Sequence, residues 1–332
     1  MTVSVLLPDA SAPLDSETAL AAFSDILDGK AAEDEIQRFL TVMAERDETS
    51  VEIAAAVRAM RQRLIPVSAP EGAIDVCGTG GDGSHSLNIS TAVAIVVAAC
   101  GVPVAKHGNR AASSKAGSSD TLEALGLNLD RASETAERSL ADIGIGFLFA
   151  QKHHPALGKL AGVRKAIGRR TIFNLTGPLC NPAGVKRQLL GVARPDFLNV
   201  VAGAIELLGL ESAMLVAGDE PLDELSVCGP STIVRIGACG HGTSRLTPED
   251  VGLSRHPQEA LRGGDAVFNA AALRRLLLGE EGAYRDAVLL NAAAALVVAG
   301  RVDSWENGVE EAREVLDNGV ANTLLDCWIA YK

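Results

Sequence analysis

Apolar positions in the first 64 residues recur at the spacing of one helix face. The first two runs carry these positions as Leu20, Phe23, Ile26, Leu27, Ile36, Leu40 and Met43. Gly29 separates the two runs, a third run opens at Ser50, and Pro66 ends the helical pattern. The sequence therefore predicts a small helical unit over residues 16–64, whose exposed apolar side chains are suited to a subunit interface.

The next segment changes to the alternation of an α/β protein. Residues 73–77 form a short apolar run that predicts a buried strand, and residues 92–100 are apolar over three helical turns. Ser90 or Thr91 is the predicted N-cap of that helix. A second strand is predicted over residues 102–105. The pattern is therefore strand, loop, helix and strand.

The loop between the first strand and the helix is rich in glycine, with Gly78, Gly80, Gly81 and Gly83 within six residues. Glycine allows positive φ and a close approach of the backbone to a ligand. Loop N–H groups, cap hydroxyls and the positive helix end would face one point, which predicts an anion site. Lys106 to Arg110 follow the second predicted strand, and a polar run over 113–119 contains Lys115. Two successive strand ends thus carry phosphate-binding chemistry, where open α/β sheets bind ligands.

Residues 146–150 predict a third buried strand, and the adjacent pair His153 and His154 follows it. Consecutive strand residues point to opposite faces, and no cysteine or carboxylate lies nearby. A zinc site is therefore not favoured.

A basic helical stretch over residues 156–170 precedes a segment rich in turn residues. Within the basic stretch, either Arg164 or Lys165 can face a ligand cleft or solvent, and composition does not separate the two. Residues 173–182 are interpreted as two polar turns that connect domains.

Strand and helix patterns alternate again from residue 188, with strands over 189–192 and 212–217 around a helix over 197–208. Four carboxylates follow the second strand, namely Asp219, Glu220, Asp223 and Glu224. They form either an exposed acidic turn or a Mg²⁺ site that uses one or two carboxylates together with substrate phosphates. The glycine loop favours the metal site, because such ions accompany phosphate substrates. A strand over 232–237 and helices over 268–279, 284–300 and 305–318 complete the pattern.

Composition excludes several classes of function. The net charge of −12 disfavours a nucleic-acid binder, and aromatic residues at 3% leave few base-stacking platforms. The six cysteines are scattered without a CxxC pair, which is typical of free thiols in a reducing cytosol. The N-terminus lacks signal-peptide features, and the most apolar stretch is broken by Gly101 and Pro103. We therefore expect a cytoplasmic protein that contacts neither nucleic acid nor membrane.

The glycine loop matches neither common nucleotide motif in full. Gly78, Gly80 and Gly83 fit G-x-G-x-x-G, but a dinucleotide site needs an acidic residue where the next strand ends in Lys106 and His107. The Walker pattern fails because no lysine follows Gly83. The loop is therefore a phosphate loop of another kind, with a lysine on the neighbouring strand and a distant carboxylate pair.

Six motifs in order resemble the anthranilate phosphoribosyltransferase family from about residue 16 to the C-terminus. They are Asp75 to Gly83 (DVCGTGGDG), Asn88 to Thr91 (NIST), Lys106 to Arg110 (KHGNR), Arg170 to Asn174 (RTIFN), Gly177 to Leu179 (GPL) and Asp223-Glu224. The resemblance implies a Mg²⁺-dependent pentosyltransferase of tryptophan biosynthesis. Such an enzyme moves the phosphoribosyl group of phosphoribosyl diphosphate to the amine of anthranilate and releases diphosphate.

The resemblance also implies the architecture, which is of the nucleoside phosphorylase/phosphoribosyltransferase type. A small α-helical domain would comprise residues 1–70 with helices from about 158–186. An α/β domain with a mostly parallel central sheet would comprise residues 71–157 and 187–332. A homodimer would form through the helical domain.

The family's site residues carry over onto matching positions of this sequence. Those implied to bind phosphoribosyl diphosphate are Gly78, Gly81, Asp82, Ser86, Asn88, Ile89, Ser90, Thr91, Lys106, His107, Gly108, Asn109, Arg110, Ala111, Ala112, Ser113, Ser114 and Ser118. Gly78, Asn109 and Arg164 would hold anthranilate, with His107 and Pro178 lining its entry. Ser90, Asp223 and Glu224 would bind the metal. No obligatory general base is implied, and Lys106, Asp223 and Glu224 would act electrostatically.

Three positions depart from the family pattern, namely Gln151, Gly158 and Pro221. None removes an implied ligand, although they bear on loop geometry and metal affinity. Two alternatives remain at this point: a pyrimidine nucleoside phosphorylase, which does not need the Asp223-Glu224 pair, and a non-catalytic nucleic-acid-binding relative. The second predicts a basic groove and a lost metal pair, contrary to the charge and the retained carboxylates.

Overall fold

The fold was analysed in a computed structural model that describes residues 5–110, 115–220 and 222–332. Five residues named above lie outside the described residues. They are Pro221 and four that the resemblance implies to bind phosphoribosyl diphosphate, namely Ala111, Ala112, Ser113 and Ser114. The helices within the described residues are α1 Ser16–Asp28, α2 Glu33–Glu45, α3 Ser50–Arg61, α4 Ile89–Ala99, α5 Ser118–Ala124, α6 Leu129–Glu134, α7 Ala136–Ile143, α8 Ala150–His153, α9 Pro155–Gly158, α10 Ala161–Ile167, α11 Ile172–Thr176, α12 Leu198–Leu208, α13 Ala266–Leu277, α14 Ala283–Ala299, α15 Trp305–Asp317 and α16 Val320–Ala330.

The strands build one sheet whose order across the described residues is β3-β2-β1-β4-β5-β6-β7. Their bounds are β1 Ile74–Gly78, β2 Val104–Gly108, β3 Ile145–Phe149, β4 Arg187–Gly191, β5 Ser212–Gly218, β6 Ser231–Gly237 and β7 Gly242–Leu246. The first five are parallel, and β6 and β7 are antiparallel at one edge. The expected α/β class with a mostly parallel sheet is confirmed. Strand order reverses between β1 and β4, which is where open α/β sheets bind ligands.

Both faces of the sheet are covered, because successive strand residues point to opposite sides. Leu189 packs into a core shared with α4 and α14, whereas Leu190 packs into a core shared with α1–α3 and α10–α12. The helical unit therefore shares its core with one face of the sheet. The helices predicted over residues 16–64 are confirmed as α1, α2 and α3.

Helices of the middle of the chain pack on the N-terminal helices, with α10 against α2 and α11 against α3. Val163 and Phe173 lie in the same core as Phe23. These contacts favour the division into a helical domain with helices from about 158–186 and an α/β domain, whose boundaries stay a prediction. In the part of the chain that the structure describes, no helix is long and apolar enough to cross a membrane.

The structure differs from the sequence predictions at three local points. The interpretation of residues 173–182 as polar turns is wrong, because this segment forms α11 and a 3₁₀ turn over Pro178–Cys180, both buried. Lys106 lies within β2 rather than after its end, since that strand continues to Gly108. The N-cap of α4 is Asn88, not Ser90 or Thr91.

Candidate active site

The loop after β5 brings Asp223 onto the glycine loop after β1. The backbone N–H of Gly80 donates to the Asp223 carboxylate at 2.7 Å, and the N–H of Asp223 donates to the Asp82 carboxylate at 3.3 Å. A Cβ at Gly78 would lie 2.1 Å from the Asp223 carboxylate oxygen, so only glycine admits this approach. The two loops therefore form one site, although 143 residues separate Gly80 from Asp223 in sequence.

The glycine loop has the backbone that its composition predicts. Gly80, Gly81 and Gly83 have φ of 67°, 78° and 75°, in the left-handed region that favours glycine. The Asp82 side chain accepts from the backbone N–H and the hydroxyl of Ser84, which fixes the turn. The loop is thereby held in place before any ligand binds.

Glu224 caps helix α4 from a distant part of the chain. Its carboxylate accepts from the backbone N–H of Ser90 at 3.2 Å, in the first turn of the helix. The side chain of the N-cap residue Asn88 makes no cap bond, because its amide is engaged elsewhere. A negative charge at a helix N-terminus is favourable, so this contact stabilises α4 and also places Glu224 beside Asp223.

Three carboxylates are crowded at this point, and their pKa values respond. Burial, followed by the charge of Asp82, raises the pKa of Asp223 from 3.8 to about 7. Burial, followed by the charge of Asp223, raises the pKa of Glu224 well above its ordinary value, and Lys106 opposes this shift. A bound cation would offset both burial and repulsion.

The oxygen ligands that this site offers fit Mg²⁺. Asp223 and Glu224 offer hard carboxylate oxygens, and a bound cation would favour their charged forms, which burial and mutual repulsion disfavour. Within the described ranges, no group of three or more His, Cys, Asp or Glu side chains is arranged to hold a metal ion. Magnesium needs only one or two carboxylates where substrate phosphates and waters complete its coordination. Ser90 as a metal ligand stays a prediction.

Lys106 and Asp75 are two buried ionisable side chains on neighbouring strands beneath the site. Lys106 is 2% exposed, and its ammonium donates to the backbone oxygen of Val76 at 2.8 Å. Asp75 is fully buried and accepts from the backbone N–H of His107 at 3.1 Å. Burial raises the pKa of Asp75, and Lys106 opposes that shift. Asp75 is a site neighbour that the sequence pattern does not reveal, because a carboxylate inside a strand gives no signal of its partner.

His107 faces His154 rather than standing alone. Their Nε2 atoms are 3.2 Å apart, and both rings are buried. Burial lowers the pKa of His107 well below its ordinary value, and burial followed by His153 lowers that of His154 to about 4. Both rings are therefore neutral at pH 7, and one donates to the other. His154 is a site neighbour that spacing did not reveal, since it is 47 residues from His107.

The Asn88 side chain is engaged by the protein itself. Its Oδ1 accepts from the Thr121 hydroxyl at 2.6 Å and from the Asn269 amide at 2.9 Å, and its Nδ2 donates to the oxygen of Ala116 at 3.3 Å. The backbone oxygen of Asn88 accepts from the Tyr284 hydroxyl at 3.1 Å. Asn88 therefore ties α4 to α5, α13 and α14, and its contact with phosphoribosyl diphosphate stays a prediction.

Several other residues that are predicted to bind phosphoribosyl diphosphate lie around the same loops. The Thr91 hydroxyl is buried and has no hydrogen-bond partner among the described residues. Arg110 is paired with Asp120 at 2.9 Å and Glu123 at 3.0 Å, so its charge is partly neutralised. Ser118 donates to the backbone oxygen of Asn109 at 3.4 Å. Ser118 and Asn109 are therefore in contact near the end of β2 at Gly108, and their role in binding stays a prediction.

Arg164 and Lys165, which composition does not distinguish, differ in their exposure to solvent. Lys165 is exposed, whereas Arg164 is half-buried and burial lowers its pKa. In the described part of the chain, neither a hydrogen bond nor an ion pair engages the Arg164 guanidinium. Pro178, the other predicted acceptor neighbour, is buried, and its oxygen accepts from Gln188 at 2.7 Å.

A phosphate loop with a carboxylate pair, carried on a mostly parallel sheet beside a helical unit, defines a class of glycosyl transferases. Residues 70–322 match the glycosyl transferase family, a/b domain, and residues 10–64 match the glycosyl transferase family, helical bundle domain. Together the two matches span most of the chain.

Individual relatives narrow the class. An anthranilate phosphoribosyltransferase from Novosphingobium aromaticivorans is 60% identical over 325 residues, which cover 98% of each chain. The crystal structure of the enzyme of that name from Thermus thermophilus is 44% identical, covers 96% of each chain and has a TM-score of 0.92. The Saccharomyces cerevisiae enzyme in complex with PRPP and Mg is 28% identical, with 97% of this chain and 93% of that chain covered and a TM-score of 0.86. The chain belongs to the anthranilate phosphoribosyltransferase family.

Proposed function

We propose that this chain transfers the phosphoribosyl group of phosphoribosyl diphosphate to the amine of anthranilate and releases diphosphate, with Mg²⁺ as the cofactor. The observation that carries the proposal is the seating of Asp223 against Gly78 and Gly80, which joins a phosphate loop to a carboxylate pair. Family membership and the yeast relative in complex with PRPP and Mg support the same reaction.

The reaction breaks the bond between C1 of ribose and the diphosphate oxygen and forms a bond from C1 to the anthranilate nitrogen. The ring carbon gains positive charge as the diphosphate gains negative charge, and the amine releases one proton to solvent. Electrostatic stabilisation of the leaving group is therefore the main requirement. Mg²⁺, when bound by Asp223 and Glu224, supplies positive charge for the diphosphate.

The chain's own groups supply the rest of the donor site. The N-terminus of α4 presents its positive end, the buried Thr91 hydroxyl is available, and Lys106 adds a cation beneath the loop. A neutral aromatic amine is already a nucleophile, so no strong general base is needed. Orientation of the acceptor by Arg164 and Asn109 would supply the remaining advantage.

Arg164 is suited to the anthranilate carboxylate. Burial without a protein partner disfavours a guanidinium, and a bound carboxylate would satisfy it with a bidentate pair. His107 and Pro178 would line the approach of the acceptor. The two neutral rings of His107 and His154 would offer that acceptor an uncharged wall.

The decisive experiment follows the loss of anthranilate fluorescence. Purified protein is mixed with anthranilate, phosphoribosyl diphosphate and Mg²⁺, and a chelator is added in a parallel reaction. We expect decay that requires both phosphoribosyl diphosphate and metal. Folded protein that shows no decay would contradict the proposal, and assays with thymidine and phosphate and a salt-dependent DNA gel shift would then test the two alternatives.

A variant checks the role given to the carboxylate pair. Asp223→Asn keeps the size of the side chain, and we expect turnover to fall while circular dichroism and the melting temperature show an intact fold. Metal polarisation is worth several kcal/mol in such sites. Unchanged kinetics at saturating Mg²⁺ would remove Asp223 from the metal site.

The remaining assignments are also proposals. The resemblance supports a homodimer through the helical domain, and light scattering on the purified protein would measure the mass. A role in tryptophan biosynthesis follows from the family. A cytoplasmic location stays a prediction from the cysteine pattern.

A further inference from the structure

The segment between α10 and α11 is anchored to the helical unit by one arginine. Arg170 donates to the Glu48 carboxylate at 2.8 Å, and its guanidinium carbon lies 4.5 Å from the centre of the Phe197 ring. Glu48 is 3% exposed and Phe197 is equally buried. A charge-assisted hydrogen bond to a buried carboxylate, combined with stacking on an aromatic ring, holds a guanidinium in one orientation.

A second arginine, which follows a residue bonded to the glycine loop, stacks on the same ring. The Arg194 guanidinium carbon lies 4.2 Å from the centre of the Phe197 ring, and Arg194 pairs with Asp47 at 3.1 Å. The preceding residue, Ala193, donates its N–H to the Thr79 hydroxyl in the glycine loop at 3.0 Å. The turn between α2 and α3, which carries Asp47 and Glu48, therefore holds both arginines.

Arg170 is close in the chain to the residue proposed to bind the acceptor. Gly168 ends α10 with φ of 64°, and its N–H donates to the backbone oxygen of Arg164 at 3.2 Å. On the other side of Arg170, the Thr171 N–H donates to Asn174 at the start of α11, which leads to Pro178. Arg170 is thus an anchored residue that lies in the chain between Arg164 and Pro178, the two residues proposed to lie near anthranilate.

We propose that Arg170 is a positioning residue that sets the placement of Arg164 through α10, and thereby the affinity for the anthranilate carboxylate. The inference rests on the proposed function. Arg170 itself is occupied by Glu48 and Phe197 and acts on the acceptor only through the chain. It serves the acceptor, because the segment that it anchors leads to Arg164 and Pro178. The glycine loop is held by other residues, namely Asp223, Gly191 and Ala193.

The test compares Arg170→Ala, Arg170→Lys and Arg169→Ala by steady-state kinetics with each substrate varied in turn. Arg169 is the matched control, since it is an adjacent exposed arginine whose ion pair to Glu45 is long, at 3.4 Å. We expect Arg170→Ala to raise the KM for anthranilate about ten-fold or more, since small misplacements of a binding group are costly. The KM for phosphoribosyl diphosphate should not change. Arg170→Lys should show a smaller rise, because it keeps the charge and loses the stacking, and Arg169→Ala should match the wild type.

The outcomes separate positioning from a merely structural role. If both KM values are unchanged, or if they rise together as the melting temperature falls, the inference is overturned. Should Arg170→Ala fail to fold, Arg170→Lys decides, and an unaltered KM for anthranilate in that variant counts against positioning. An inactive wild type would instead show that the proposed function has failed.

Discussion

A Cβ at Gly191, the last residue of β4, would lie 1.5 Å from the backbone oxygen of Asp223. The loop after β5 therefore crosses β4 at a point where no side chain can stand. The same loop crosses the end of β1 at Gly78. Two adjacent strands end in glycine so that one carboxylate loop can reach the phosphate loop.

Gly191→Ala should consequently displace Asp223. The clash is with backbone, which cannot rotate away, so we expect catalytic efficiency to fall by about 100-fold and the free energy of unfolding to fall by about 1–3 kcal/mol. Steady-state kinetics and urea denaturation measure the two effects. Gly158→Ala is the control, because a Cβ there meets no atom within 4 Å. Wild-type activity in Gly191→Ala would show that the Asp223 loop does not need this approach.

Arg164→Ala and Lys165→Ala form a matched pair of charge deletions on adjacent residues. Only Arg164 is half-buried, and we expect its loss to raise the KM for anthranilate by about ten-fold or more, the worth of a charged hydrogen bond. Lys165→Ala should leave that KM unchanged. Equal effects of the two substitutions would mean that net charge, and not a specific contact, attracts the acceptor.

Asn269→Asp should weaken the binding of phosphoribosyl diphosphate. A carboxylate can still accept from the N–H of Gly264, as Asn269 does at 2.8 Å, but it cannot donate to Asn88 and would repel that oxygen. The start of α4 would lose one of its ties, so the KM for phosphoribosyl diphosphate should rise by several-fold, about the worth of one buried hydrogen bond. Asn318→Asp, at an exposed position, is the control. A donor KM that stays at the wild-type value would exclude this network from the site.

The pair of His107 and His154 makes stability depend on pH. The pKa of His154 is lowered from 6.5 to about 4, so the unfolded chain binds more protons between these values. The stabilisation is complete above pH 6.5 and is lost as the pH falls toward 4. His154→Gln removes the contribution of His154, and we expect the variant to lose less stability on acidification, by roughly 1–3 kcal/mol.

Melting temperatures of the wild type and His154→Gln between pH 4.5 and 7.5 measure the effect. The curves should converge toward low pH and separate toward neutral pH. His241→Gln, on an exposed turn, should follow the wild type throughout. Parallel curves for the wild type and His154→Gln would indicate that His154 titrates normally in the folded protein.

Local pattern was sufficient for most of the fold. The buried strands, the glycine loop and the long C-terminal helices could be predicted because each depends on periodicity or on the φ that glycine allows. Over residues 173–182, the turn-forming residues Gly177 and Pro178 predict a polar connection, and this prediction is wrong because the segment is buried against α3. The N-cap of α4 is Asn88 and not Ser90 or Thr91. Local pattern could not predict the start of this helix, because the carboxylate that accepts from the Ser90 N–H belongs to Glu224, after another strand.

The sequence by itself determined the chemistry that was available: a phosphate loop, a lysine on the next strand, a carboxylate pair and two candidate cations, Arg164 and Lys165. The tertiary structure decided which of these groups meet. Strand β4 lies between β1 and β5, and only this order brings Asp223 to Gly80. Burial then distinguished Arg164 from Lys165 and set the pKa values of the carboxylates. The physical reason is that desolvation and charge repulsion depend on distances in space, which residue spacing along the chain does not contain.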